Sequence, residues 1–133
     1  MEIESINEQL RAARPDTMIM QSFDIRGRRL VLAFTCSGGP REDEAFVLEF
    51  GQAALFHLPS VLYEPVFFRM ADETERERLI PRVSYDPLEV SGTLGAFTVL
   101  VLEDEHGCPY GYYVAAERAR AAWKPRSECL QVW

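Results

Sequence analysis

The most polar segment beside the strongest predicted strand is the four-residue run that begins at Glu103 and ends at His106. Three carboxylates and an imidazole have the chemistry to hold a hard cation or to transfer protons. Adjacent residues of a strand point to opposite faces, however, so these groups would not converge on one ion. The run also lacks the Asp/Asn and Gly spacing of a calcium-binding loop. The pattern therefore favours a solvated hairpin tip over a metal site.

The histidines and cysteines offer few further candidates for catalysis. Cys108 lies two residues from His106, but Pro109 follows directly and no nucleophile signature surrounds the pair, so we interpret Cys108 as a free structural cysteine. His57 lies between two apolar residues, and the chain has only one other histidine to complete a metal site. The sequence thus predicts no catalytic residue, no metal and no cofactor, and it favours a protein that is not an enzyme.

Two glycine-containing segments invite a nucleotide-binding interpretation. Residues 36–40 are followed by acidic residues, with no lysine and no helix to present its N-terminus to a phosphate. Residues 91–95 precede a predicted strand, whereas phosphate-binding loops follow one. Both segments are better interpreted as ordinary turns.

The tyrosines form the other candidate group. Tyr110 and Tyr112 share one face of a predicted strand, Tyr113 takes the opposite face, and Tyr63 lies in a segment interrupted by Pro65. Tyrosine often anchors protein interfaces because it buries a large area at low entropic cost. It also packs against cores and covers sheet edges. For Tyr63, Tyr110 and Tyr112 both interpretations stay open.

Composition limits the class of protein and its partners. The 133 residues fit one domain, spanning 1–133, and carry a formal net charge of −7. Such a surface repels phosphate backbones and anionic membranes, so we expect neither nucleic acid nor membrane as a partner. It would attract a protein with a basic surface, although acidity also serves solubility alone. Three cysteines and no apolar leader at the N-terminus indicate reduced thiols and the cytoplasm.

Periodicity predicts the elements of the first half of the chain. Apolar residues spaced three and four apart predict an amphipathic helix over 2–14, ended by Pro15. Apolar and β-branched runs separated by glycine turns predict strands. These are strands 18–26 and 29–35, a loop over 36–43, a second hairpin formed by 45–50 and 53–58, and an irregular or edge strand over 61–70.

The second half begins with a helix over 72–80, because Asp72 and Glu75 have the spacing of a capping box and Pro81 follows. Prolines and glycines then predict an irregular connection over 81–95. A strand over 96–103, a turn at Gly107 and a strand over 110–115 predict a buried hairpin. The remaining elements are a helix over 116–123 and a tail strand over 128–133.

Strands joined by tight turns favour an α+β domain with a mainly antiparallel sheet in one or two layers. Helices would lie at its N-terminus, in its middle and near its C-terminus. We expect a non-enzymatic protein-binding domain for a basic partner, a character shared in composition with inhibitors and bacterial immunity-type neutralisers. Its speculative contacts are Glu103, Asp104, Glu105, Tyr110, Tyr112 and Tyr63. One alternative is a ligand-binding or enzymatic domain with a pocket near 81–95, and the other is a structural subunit or homo-oligomer closed by Trp133.

Overall fold

The computed structural model describes residues 2–83 and 98–129 and shows two antiparallel sheets with three helices in those ranges. In chain order the elements are α1 (Ile3–Ala13), β1 (Thr17–Asp24), β2 (Arg29–Thr35), β3 (Glu44–Gly51), β4 (Leu55–His57), β5 (Val61–Leu62), β6 (Phe67–Met70), α2 (Glu73–Val83), β7 (Thr98–Glu103), β8 (Pro109–Ala116), β9 (Arg118–Pro125) and α3 (Arg126–Cys129). The expected α+β class with a mainly antiparallel sheet is confirmed, in its two-layer form.

The main core lies between the two sheets. The first has the strand order β5-β1-β2-β3-β9 and the second has the order β4-β8-β7-β6. Alternate residues of β2, β3, β7 and β8 point inward, and the fully buried ones include Leu32, Phe34, Phe46, Leu100 and Val114. Each such side chain contributes roughly 1.5–3 kcal/mol by leaving water. This core holds the loops and the β7–β8 hairpin in fixed positions.

Helix α1 packs across the edge of both sheets. Its apolar stripe buries Ile6 and Leu10 in the main core. The amide of Asn7 accepts a hydrogen bond from the N–H of Phe68 at 2.9 Å and donates one to its carbonyl at 2.7 Å. This pair of bonds ties the helix to the edge strand β6. Arg14 then ends the helix in the left-handed conformation, with φ 51°.

Helix α2 covers the outer face of the four-stranded sheet, where Leu79 packs against Val99 and Ala115. The predicted capping box is confirmed, since Asp72 Oδ1 accepts the N–H of Glu75 at 2.8 Å and Glu75 Oε1 accepts the N–H of Asp72 at 2.9 Å. The prediction that Pro81 ends the helix is wrong, because α2 continues to Val83. Pro81 lies in the final turn of α2, so few helical hydrogen bonds remain beyond the one that its missing N–H cannot make.

The predicted helix over 116–123 is wrong. Ala116 ends β8, and the residues from Arg118 onward belong to β9, which pairs with β3 from Gly51↔Arg118 to Glu44↔Pro125. Alanine and arginine favour helix in isolation, but pairing with β3 and packing of Trp123 against the core override that preference. The short C-terminal helix is present further along the chain, as α3, where Cys129 is buried.

The predicted second hairpin over 45–50 and 53–58 is also wrong. The chain leaves the first sheet at Gly51, and β4 pairs with β8 in the other sheet through Leu55↔Ala115. The backbone N–H of Ala54 already bonds to the carbonyl of Ala115. The interpretation of 61–70 as an irregular or edge strand is confirmed, because β5 and β6 are short and each lies at the edge of a sheet.

Residues 84–97 and 130–133 lie outside the described residues. They include most of the predicted connection over 81–95, the first two residues of the predicted strand 96–103 and the last four of the predicted tail strand 128–133. The pocket expected near 81–95 and the interface expected at Trp133 fall there too. The first two residues of the predicted tail strand lie in α3, so the strand prediction is wrong for them. Within the described ranges, no helix combines the length and apolar character needed to span a bilayer.

Candidate functional site

The β7–β8 hairpin presents the acidic run at its tip, as predicted. Asp104 stabilises this turn, since its Oδ1 accepts the N–H of His106 at 2.8 Å and the N–H of Cys108 at 2.9 Å. Gly107 adopts φ 81°, a conformation that favours glycine. The bond from Cys108 is the main cause that holds the pKa of the Asp104 carboxyl below its ordinary value. The charge of Asp104 therefore serves the shape of the turn.

The charge of Glu103 is balanced by Arg69. Its Oε2 accepts a hydrogen bond from Arg69 Nε at 3.0 Å, and the two Nη groups of Arg69 bond to Glu75 at 2.8 and 3.2 Å. These three residues link β6, β7 and α2. The Arg69 guanidinium lowers the pKa of Glu75 to about 2, and the two carboxylates raise the pKa of Arg69.

Glu105 is the most accessible carboxylate of the run. Its Oε1 lies 3.6 Å from Nε2 of His106, and both side chains are largely exposed. Since an exposed pair at this distance contributes little, Glu105 keeps most of its charge available to a binding partner.

Tyr110 is fixed by an internal hydrogen bond. Its hydroxyl donates to the carbonyl of Pro65 at 2.7 Å, which brings the segment after β5 against the hairpin. Burial, followed by the neighbouring Glu64 carboxylate, raises the pKa of Tyr110 to about 12. Its ring stacks on that of Tyr112 with centroids 6.2 Å apart, so the two rings share a face as predicted.

His57 lies beside two of the tyrosines of β8, whereas Tyr63 lies in the segment before Pro65. The ring of His57 lies 5.8 Å from that of Tyr112 and 5.9 Å from that of Tyr113. Tyr112 is half-buried, whereas Tyr63 is 77% exposed. Tyr63 follows β5 and lies two residues before Pro65, which contacts Tyr110, so the structure places it in the segment that borders the hairpin.

A groove of about 430 Å³ separates α1 from the hairpin tip. Arg11 and Arg14 line it from the helix, and the carboxylate-bearing run lines it from the hairpin. Its floor includes Val66 and Phe67, and the Arg11 guanidinium lies 5.8 Å from the centre of the Phe67 ring. Sequence reasoning missed this groove. The signal present was the spacing of Arg11 and Arg14, which places both at one end of the helix.

The described residues contain no cluster of three or more His, Cys, Asp or Glu side chains that could hold a metal ion. Cys36, Cys108 and Cys129 are free thiols, and only Cys108 is exposed. Burial raises the pKa of Cys36 and of Cys129, which keeps both in the unreactive thiol form.

Known proteins provide no assignment for this site. The chain matches no protein-family model, no curated protein and no solved structure. Function is therefore inferred from the residues at the hairpin tip and from their geometry.

Proposed function

We propose that this chain is a non-enzymatic protein-binding domain whose hairpin tip contacts a partner with a basic surface. The observation that supports this most is the division of roles at the tip. Glu103, Asp104 and Tyr110 are fixed by internal bonds, while Glu105 and Tyr63 project into solvent. A rigid scaffold that presents accessible groups binds at low entropic cost.

The accessible groups have different tasks in this proposal. Glu105 attracts the basic partner and affects mainly the association rate, since rim charges are solvated. Tyr63 and the half-buried Tyr112 provide area that becomes buried in the complex, and such anchors affect mainly the dissociation rate. Glu103, Asp104 and Tyr110 are positioning residues.

The acidity of the whole chain, with a formal net charge of −7, supports a basic partner. Inhibitors and immunity-type neutralisers of basic proteins belong to this functional class, and we place the domain among them in the cytoplasm. The reduced state of the three cysteines is consistent with that compartment.

A differential capture experiment tests the proposal. Wild-type protein, Glu105→Lys and the control Glu117→Lys are immobilised and exposed to the same native lysate, and bound proteins are quantified by mass spectrometry. The control carries the same charge change at the far end of β8, next to Gly51. We expect a basic protein that is retained by wild type and by the control but lost with Glu105→Lys.

Surface plasmon resonance with that captured protein then separates the roles. Glu105→Lys and the milder Glu105→Gln should slow association and flatten its dependence on salt. Tyr63→Ala and Tyr112→Ala should instead speed dissociation. Identical capture by all three baits, or association that does not depend on salt, would remove the tip from the binding site.

A further inference from the structure

A second charged surface lies at the end of β8 that is remote from the hairpin tip. β8 begins at Pro109, next to the tip, and ends at Ala116. The following residue, Glu117, donates its backbone N–H to the carbonyl of Gly51. A strand of 8 residues spans about 25 Å. The surface around Gly51 is therefore separate from the tip and its groove.

The surface around Gly51 is basic, although the chain as a whole is acidic. Gly51 of β3 pairs with Arg118 of β9, and Glu49 pairs with Arg120 in the row beside it. Arg29 approaches from β2, on the other side of β3. Three arginines thus surround one carboxylate, which leaves two positive charges without a neutralising partner among these four side chains.

Glu49 fixes two of these arginines. Its Oε1 lies 2.5 Å from Arg29 Nε and 3.3 Å from Arg120 Nη2. The Arg29 guanidinium, followed by Arg120, holds the pKa of Glu49 below its ordinary value, so the carboxylate stays ionised at neutral pH. Within the ranges that the structure describes, Arg118 has no ion-pair partner. Its guanidinium is available to an anion.

A cleft of about 300 Å³ opens between these side chains. Gly27, in the turn between β1 and β2, lines its other side. The shape of the cleft depends on the absence of a side chain at Gly51, because a Cβ atom there would lie 2.6 Å from Arg118 Nε. Arg118 occupies the space that a larger residue at position 51 would need, and so remains beside Arg29 and Arg120.

We infer that this cleft binds the phosphoryl group of a small molecule, either inorganic phosphate or a phosphate monoester. The guanidinium fork matches phosphate oxygens through two parallel hydrogen bonds. Asp24, which lies opposite Arg29 in β1 and beside Gly27, adds a second carboxylate. The three arginines still exceed the two carboxylates by one positive charge, and this excess favours a phosphate anion. The volume is at the lower end of the range of small-molecule sites, and it leaves room for a substituent next to the phosphate.

Isothermal titration calorimetry with inorganic phosphate, at ionic strength held constant with chloride, tests this site. Loss of a charge-assisted hydrogen bond corresponds to about a tenfold weaker binding or more. We expect that loss for Arg118→Gln and for Arg120→Gln. Arg78→Gln removes the same charge from exposed α2 and should bind within about twofold of wild type.

The variant Gly51→Ala distinguishes binding that needs the geometry of the cleft from binding that needs only positive charge. Gly51 does not have a positive φ, so alanine fits the backbone, and the variant keeps every arginine. Its methyl group displaces Arg118, and we expect phosphate to bind several-fold more weakly while the thermal midpoint confirms folding. Unchanged binding by Gly51→Ala, equal losses in Arg78→Gln and Arg118→Gln, or the absence of binding to wild type would each overturn the inference.

Parallel titrations identify the source of the phosphoryl group. Tighter binding of glycerol 3-phosphate than of inorganic phosphate supports a phosphorylated metabolite, and equal binding supports free phosphate. Binding to phosphatidylserine vesicles or to single-stranded RNA, without binding to either soluble phosphate, would overturn the small-molecule site in favour of a macromolecular surface.

Discussion

Replacing Glu75 by Gln should destabilise the domain through one identifiable contact. Glutamine keeps the oxygen that accepts the N–H of Asp72, so the helix cap survives. It loses the charge that pairs with Arg69, whose other carboxylate partner is Glu103. The change therefore removes an ion pair that joins α2 to β6 while it leaves the local helix signal in place.

The pKa of Glu75 sets the magnitude. Its value of about 2, against an ordinary 4.5, corresponds to about 3 kcal/mol at neutral pH. The Arg69 side chain is 37% exposed, and solvent screening reduces the contribution of such a pair. We therefore expect Glu75→Gln to lower the free energy of unfolding by about 1–2 kcal/mol at pH 7.

The dependence on pH has a defined sign. The folded-state pKa of Glu75 lies below its unfolded value, so the contribution is fully present above about pH 4.5 and is lost as pH falls toward 2. The difference between wild type and Glu75→Gln should thus shrink over that interval. A glutamine does not titrate, and its variant lacks this part of the acid sensitivity.

Urea unfolding followed by circular dichroism at pH 7, 4 and 2.5 measures the difference. Glu77→Gln is the matched control, since Glu77 is exposed on the same helix and its neutralisation should change stability by less than about 0.5 kcal/mol. A Glu75→Gln deficit that stays constant with pH, or one that Glu77→Gln reproduces, would refute the ionic explanation.

Three further predictions concern the core, the thiols and β9. Val99→Asp should destabilise the fold by several kcal/mol, because Val99 is 2% exposed and the charge would be buried without a partner; a thermal midpoint within one degree of wild type would contradict this. Native alkylation followed by intact-mass measurement should label Cys108 alone, and label Cys36 and Cys129 only after unfolding; an internal disulfide or bound zinc would overturn it. Trp123→Phe should cost about 1 kcal/mol in urea unfolding by losing its 2.9 Å hydrogen bond to the helix, and a neutral result would show that this bond contributes nothing.

The sequence was most informative where apolar side chains alternate strongly. In β2 every residue after Arg29 is buried, so large apolar residues appear on both faces and the strand was predicted with its bounds. The prediction of β9 failed because its inward residues include the small Ala119 and Ala121, whose alternation with Arg118 and Arg120 gives only a weak strand pattern. The resulting composition resembles that of a helix, and only the partner strand β3 decides the outcome.

The candidate site also combines features set by the local sequence with contacts made by distant parts of the chain. Local rules predicted the turn at Gly107, the capping box of α2 and the shared face of Tyr110 and Tyr112. The contacts that decide which side chains are available come from distant parts of the chain. Arg69 precedes its partner Glu103 by 34 residues, and Pro65 precedes Tyr110 by 45. No periodicity in a single sequence reports such pairs, because they follow from the order of strands in the sheet.

The two charged surfaces lie about 25 Å apart, at the two ends of β8. Because one is acidic and the other basic, they have opposite effects on an approaching charged partner. The proposed basic partner would be attracted by the tip with Glu105 and repelled by the end that carries Arg118 and Arg120. The field of the molecule therefore favours encounters at the tip before any contact forms. Phosphate bound in the arginine cleft would neutralise the positive charge at that end of the molecule. The partner would then be oriented less strongly toward the tip, but its overall attraction to the molecule would increase. Association of a basic partner should consequently respond to phosphate in wild type and lose that response in Arg118→Gln. Such coupling requires no change in shape, since charge alone transmits it.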